Sequence, residues 1–87
     1  MAKKITSKSV DMENKIVQVE VEREGLVSVI NIWNRVKEGE EFYTVDKDNI
    51  KRNIKTFYND GRKILTTEHE GKYDNHLPEL PLKEDLF

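Results

Sequence analysis

Lys15-Ile16-Val17-Gln18-Val19-Glu20-Val21-Glu22 decides the fold class of this chain. Three valines alternate with glutamine and glutamate. A strand with one wet face fits that pattern, because strand side chains alternate faces with a period of two. Upstream, Lys4–Val10 reads as a second strand, and Asp11-Met12-Glu13-Asn14 between them is a turn by composition. The two segments predict an antiparallel hairpin. Arg23-Glu24-Gly25 makes the next turn, and Leu26-Val27 adds a short strand.

The period then changes. Val29, Ile32, Trp33 and Val36 fall at offsets that mark one helical face, with Ser28 as N-cap and Gly39 just past the end. The spacing predicts a helix from Val29 to Glu38 whose stripe packs on the valine face, with the Trp33 indole N–H near an edge. Glu41–Val45 reads as a strand. Asp48 is expected to cap a short helical turn carrying Ile50 and Ile54, with Lys47, Lys51 and Lys55 as a basic stripe beside it. Asn59-Asp60-Gly61 signals a tight turn between Thr56-Phe57-Tyr58 and Arg62–Thr67, because Asp-Gly supplies the positive φ that hairpins need. Pro78 and Pro81 exclude a regular helix or central strand from the last stretch.

These elements predict an α+β domain: a small antiparallel sheet of about four or five strands, one main helix on one face, and an extended C-terminal tail. The compact domain is expected over 1–71, and 72–87 as an acidic arm docked on the domain or on a partner. Leu77, Leu80 and Leu82 would supply the arm's apolar contacts. The predicted core is Ile5, Val17, Val19, Val21, Val29, Ile32, Trp33, Val36, Phe42, Phe57, Ile64 and Leu65.

Composition limits the function classes. The chain has 87 residues, 36% hydrophobic and 37% charged, with a net charge of −2. So short a chain has a thin core, which makes a homo-oligomer an expected partner state. Without cysteine there is no disulfide and no thiolate metal site. No apolar run of signal-peptide or membrane-span length occurs, so a cytoplasmic location with no membrane partner is expected. Charge is uneven: 47–63 holds six basic and two acidic residues, and 68–87 holds two basic and six acidic.

A wider pattern runs from the Lys3-Lys4-Ile5-Thr6 strand through Val27-Ser28-Val29, Val36-Lys37-Glu38-Gly39 and Tyr43-Thr44-Val45. It continues with Asp60-Gly61-Arg62-Lys63, Leu65-x-Thr67 and Gly71-x-x-Asp74-Asn75-x-Leu77-x-x-Leu80-Pro81. In this order the pieces resemble a family of short domains from Gram-positive bacteria and their phages, domain-of-unknown-function family 3892. Residues 47–56 look like an insertion relative to the pattern, and the stretch after Pro81 like an extension. The resemblance implies a compact α+β domain with a phage or mobile-element origin, and it carries no catalytic residue.

No catalytic constellation is present. There is no Gly-x-Ser-x-Gly, no base beside a candidate serine, and no cleft-forming framework for the carboxylate pairs. No cofactor or metal is expected. His69 and His76 lack metal-ligand spacing, although His69, Asp74 and His76 could meet if the tail folds back. A non-catalytic binding protein is the function expected, taking a host protein or a small anionic, nucleotide-like ligand. Arg62, Lys63, Tyr73, Asp74 and Asn75 are the candidate ligand-binding residues. The alternative is a nucleic-acid binder using 47–63, with Lys47, Lys51, Arg52 and Lys55 near Tyr43, Phe57 and Tyr58. The pI of 5.7 counts against that alternative.

Overall fold

A computed structural model of the chain describes residues 2–83. Strands make up 51% of it, in one seven-stranded sheet. The elements run β1 (Lys3–Val10), β2 (Ile16–Val21), β3 (Gly25–Ser28), α1 (Val29–Lys37), β4 (Phe42–Val45), β5 (Lys51–Asn59), β6 (Arg62–His69) and β7 (Lys72–Tyr73). A 3-10 turn, Leu77–Glu79, follows. The order across the sheet is β3-β2-β1-β4-β5-β6-β7.

This corrects the expected four- or five-strand antiparallel sheet with a dominant helix. The sheet is larger, and it is mixed, because β1 and β4 pair in parallel through Lys3↔Phe42 and Lys4↔Tyr43. A parallel pair cannot be joined by a tight turn. Here β2, β3 and α1 together form the connection. The helix is short: nine residues. Ser28 Oγ accepts the Asn31 N–H at 3.1 Å, and Gly39 follows the helix end at φ 104°.

The expected helical turn around Asp48 is also corrected. Spacing of four is common to helix and strand, so Ile50 and Ile54 did not discriminate. Asp46, not Asp48, holds the local backbone: its Oδ1 accepts the Asp48 and Ile50 N–H groups, each at 2.9 Å. Asp11 does the same for Glu13 and Lys15. Both turns read Asp-x-x-Asn, and Asn14 and Asn49 both sit at φ 65°, a conformation asparagine tolerates. Asp60 and Gly61, at φ 51° and 74°, turn β5 into β6.

Three predicted core residues are exposed: Val17 at 41%, Phe57 at 47% and Ile64 at 37%. Between the pairs Ser9↔Gln18 and Val10↔Ile16 the register shifts, leaving Val17 as an extra residue on β2. That bulge turns Val17 out and lets Ile16 pack on the core instead. On the β5–β6 hairpin, Ile54↔Thr67 and Thr56↔Leu65 share the inner face. The pair Phe57↔Ile64 must then lie on the outer one. The core consists of Ile5, Val19, Val21, Ile32, Phe42, Ile54, Leu65, Leu77 and Leu80, flanked by the partly buried Val29, Trp33 and Val36. Trp33 Nε1–H donates to the Phe57 carbonyl at 2.9 Å.

Residues 74–83 return across the sheet. Buried Thr67 donates from Oγ1 to the Asp74 carbonyl at 2.5 Å and accepts the His76 N–H at 2.9 Å. Leu77 and Leu80 then enter the core. Beyond β4's short contact with β1, the tail takes the same β1 edge: Lys8 N–H donates to Pro81 O, and Lys83 N–H to Lys8 O. Leu82 stays exposed.

An ionic clamp sits where the start of β1, the β2–β3 turn, the last turn of α1 and the α1–β4 loop meet. Arg35 makes a two-pronged pair with Glu24, each bond 2.9 Å, and binds Glu40 through Nε and Nη2. Lys3 Nζ reaches Glu24 at 2.6 Å and Glu40 at 3.2 Å. Arg35 also lies over the Phe42 ring at 5.0 Å. The Arg35 guanidinium first, then Lys3, hold the Glu24 carboxyl at about 2 against an ordinary 4.5. Glu40 is lowered for the same reason, by Arg35 above all.

Thr67→Val keeps the shape but strands the Asp74 carbonyl and the His76 N–H; denaturant unfolding should show a loss of about 1–3 kcal/mol. For Glu24, a folded value below the unfolded one means stability that is complete above pH 4.5 and is lost as pH falls toward 2. Thermal melts across that window should fall steeply for the wild type and less steeply for Arg35→Met. An equal slope in both would exclude the clamp as the source.

Candidate functional site

The residues proposed from sequence do not gather at one place. Arg62 and Lys63 open β6 and are exposed. They line a groove of about 540 Å³ together with Lys15, Ile30, Tyr58 and Gly61. A second hollow of about 340 Å³ continues from it, sharing Lys15 and Lys63, and is lined further by Ile16, Ile64, Leu65, Asn75 and Pro78. The structure thus brings Arg62, Lys63 and Asn75 onto one cleft. Tyr73 lies outside it: its ring meets Phe57 at 5.5 Å on the outer face. Asp74 is also outside, with its Oδ2 3.2 Å from His76 Nε2.

Each wall of the cleft has a local cause. The Asp11-centred turn projects Lys15, whose Nζ is 3.4 Å from the exposed Glu13 carboxylate. The Asp60-Gly61 turn places Arg62 opposite Asn59 at the hairpin tip. Among the described residues Arg62 has no carboxylate partner within ion-pair distance. Lys63 is positioned by Asn34, whose Oδ1 accepts from Nζ at 2.9 Å, and by the Trp33 ring 4.8 Å away. Tyr58 also packs near Trp33, with ring centroids 6.3 Å apart. Asn75 uses its Oδ1 to accept the Leu77 N–H, which fixes the tail's turn. Three cations and the apolar surfaces of Ile30 and Tyr58 therefore face one opening.

Sequence reasoning missed Lys15 and Ile30. Ile30 carried a readable signal: it is an isoleucine off the helical stripe, and it is 59% exposed. Lys15 carried none, because its approach to β6 depends on the sheet's curl.

The basic residues of 47–63 are divided by the strand they occupy. Arg52 is bound to Asp46 at 3.0 Å, with side chains only 14% and 5% exposed. The Ile50 N–H above all, with Arg52 adding to it, lowers the Asp46 carboxyl. Lys51 lies over the Tyr43 ring at 4.7 Å. Lys55 is exposed on the face opposite Arg52, and Lys47 sits in the Asp46 turn. The expected single helical stripe does not exist.

A third hollow, of about 510 Å³, lies between Thr44–Lys47 and the tail residues His76, Glu79, Leu80 and Pro81. His76 stands between Asp74 and Glu79, with Nδ1 2.6 Å from Glu79 Oε2 but outside hydrogen-bonding alignment. His69 turns away, its Nδ1 3.2 Å from the Lys51 carbonyl. Among the described residues no group of three or more acidic, histidine or cysteine side chains is placed to hold a metal ion. No helix among them is long and apolar enough to cross a membrane.

No family model matches the chain, nor does any curated protein or solved structure. The likeness to the family of short phage and Gram-positive domains rests on the quoted residues alone.

If Ile30 is surplus to the fold, Ile30→Ala should change unfolding free energy by no more than about 0.5 kcal/mol. Ile32→Ala, two residues on and fully buried, should cost about 2–5 kcal/mol. Comparable losses in both would place Ile30 in the core.

Proposed function

We propose that this protein is a non-catalytic binding module whose cleft between the β1–β2 turn and β6 takes an anionic partner. The observation that carries the reading is Arg62, free of any carboxylate among the described residues, beside Lys15 and Lys63 over an apolar floor of Ile30 and Tyr58. A cation kept unpaired in a concave surface raises the local concentration of anions. Ile30 and Tyr58 add contact area for whatever the anion is attached to. The resemblance to short phage domains supports an accessory role in a phage or mobile element, with a host protein or a small anionic ligand as its partner.

The nucleic-acid reading has weaker support. Its cations are split between two faces of β5 and one is committed to Asp46. A phosphate-tracking groove needs them along one path.

Inorganic tripolyphosphate is a suitable probe of the cleft. Calorimetric titration at low salt should show binding that weakens as salt rises. Arg62→Glu combined with Lys15→Glu should lower the affinity at least about tenfold, since two cations become two anions. Replacing Lys51 and Lys55 by glutamate instead should leave it within about twofold. Equal losses from both pairs would contradict the placement.

A further inference from the structure

Deepening the reading of that cleft, and resting on it, we infer that its partner is an acidic polypeptide segment that adds a strand to the free edge of β6 between Lys63 and Leu65.

In an antiparallel pair, successive residues turn their N–H and C=O groups to alternate sides. Asp74 N–H donates to Thr67 O, so Thr67 faces away from β5. Leu65 and Lys63, two and four residues earlier, face the same way. β7 covers only Glu68 and His69, and the chain leaves the edge after Asp74. Among the described residues nothing accepts from or donates to the main chain of Lys63 or Leu65. The N–H and C=O groups of Lys63 and Leu65 thus have no main-chain partner along this edge, Lys63 at its exposed end and Leu65, 5% exposed, at the floor of the concave space.

That space has room for a strand. The hollow of about 340 Å³ runs along Lys63, Ile64 and Leu65, with Asn14, Lys15 and Ile16 across from them, and the larger groove continues it past Tyr58 and Arg62. An exposed edge with a neighbouring groove is the recurring acceptor for a strand from another chain: the main chain gives affinity, and pockets for alternate side chains give selectivity.

Charge selects the occupant. Lys15, Arg62 and Lys63 rim the site, and Glu13 offsets only Lys15. A second copy of this chain pairing through the same edge would bring two such clusters together, which charge opposes. An acidic, alternating segment sets carboxylates on the inner face against Lys63 and Lys15, and apolar side chains on the outer face beside Ile64.

The test uses the full chain and an acetylated, amidated peptide of alternating glutamate and valine. A second version is N-methylated at the alternate amides that would face β6, and a third carries lysine for glutamate. Binding followed by NMR should protect the Lys63 and Leu65 amides from exchange. N-methylation should weaken it at least about tenfold, as two or more hydrogen bonds are lost, and the lysine peptide should not bind. Lys63→Pro removes an edge-facing N–H without touching the β5 ladder, whereas Lys63→Ala removes only the side chain. The Pro variant should bind at least about tenfold more weakly than the Ala variant. If the Pro variant fails to fold, the N-methylated peptide gives the same answer on the wild type. Equal binding of the N-methylated peptide overturns the strand pairing. Tripolyphosphate binding without peptide binding overturns it too and leaves the anion-binding reading standing; loss of both overturns both. Protection of the Lys63 and Leu65 amides that grows with protein concentration, without peptide, overturns it in favour of a second copy.

Discussion

The fold depends on a narrow joint. β1 and β4 share only the pairs Lys3↔Phe42 and Lys4↔Tyr43, yet this contact makes one sheet out of two hairpin systems, β1–β3 and β4–β7. So few backbone bonds do not hold two half-sheets against conformational entropy. The stabilisation comes from what spans the joint. α1 lies against β2 and β3 on one half and β5 and β6 on the other. Ile32 is fully buried at its centre. The Arg35 clamp ties the start of β1 to the α1–β4 loop at one end, and the tail's pairing with Lys8 covers the β1 edge that β4 leaves open.

The same joint builds the cleft. Its walls come from opposite halves: Lys15 and Ile16 from the β1–β2 turn, and Arg62 to Leu65 from β6. The helix start and Pro78 close it between them. The packing of α1 across both halves therefore holds the cleft's walls in place. A site made this way needs little dedicated structure, which suits a chain with so thin a core.

Much of the fold was legible where periodicity was local. The Val19-Val21 alternation, the 29–36 stripe and the Asp60-Gly61 turn each specify one element through neighbours in sequence. The failures have equally physical causes. A one-residue bulge reverses Val17, and alternation alone cannot announce it. Spacing of four at Ile50 and Ile54 fits helix and strand, and the Asp-x-x-Asn repeat at Asp11 and Asp46 was the discriminating signal. Leu77 and Leu80 were expected as the tail's apolar contacts and do pack inward, but the predicted core omitted them because prolines break regular structure; irregular chain can still bury leucines when Thr67 satisfies its backbone. The parallel β1–β4 pair was invisible, since it joins residues nearly forty positions apart. Of the proposed site, Arg62, Lys63 and Asn75 could be singled out as polar residues near a hairpin and a turn. Lys15 and the free edge of β6 exist only through tertiary arrangement.

The claim that α1 fuses two half-sheets into one cooperative unit is tested most directly by native-state hydrogen exchange at Val19 in β2 and Thr66 in β6, in wild type and Ile32→Ala. The account predicts that the substitution lowers protection at both amides by the same free energy. A drop confined to one half, with the other keeping its wild-type protection, would contradict it.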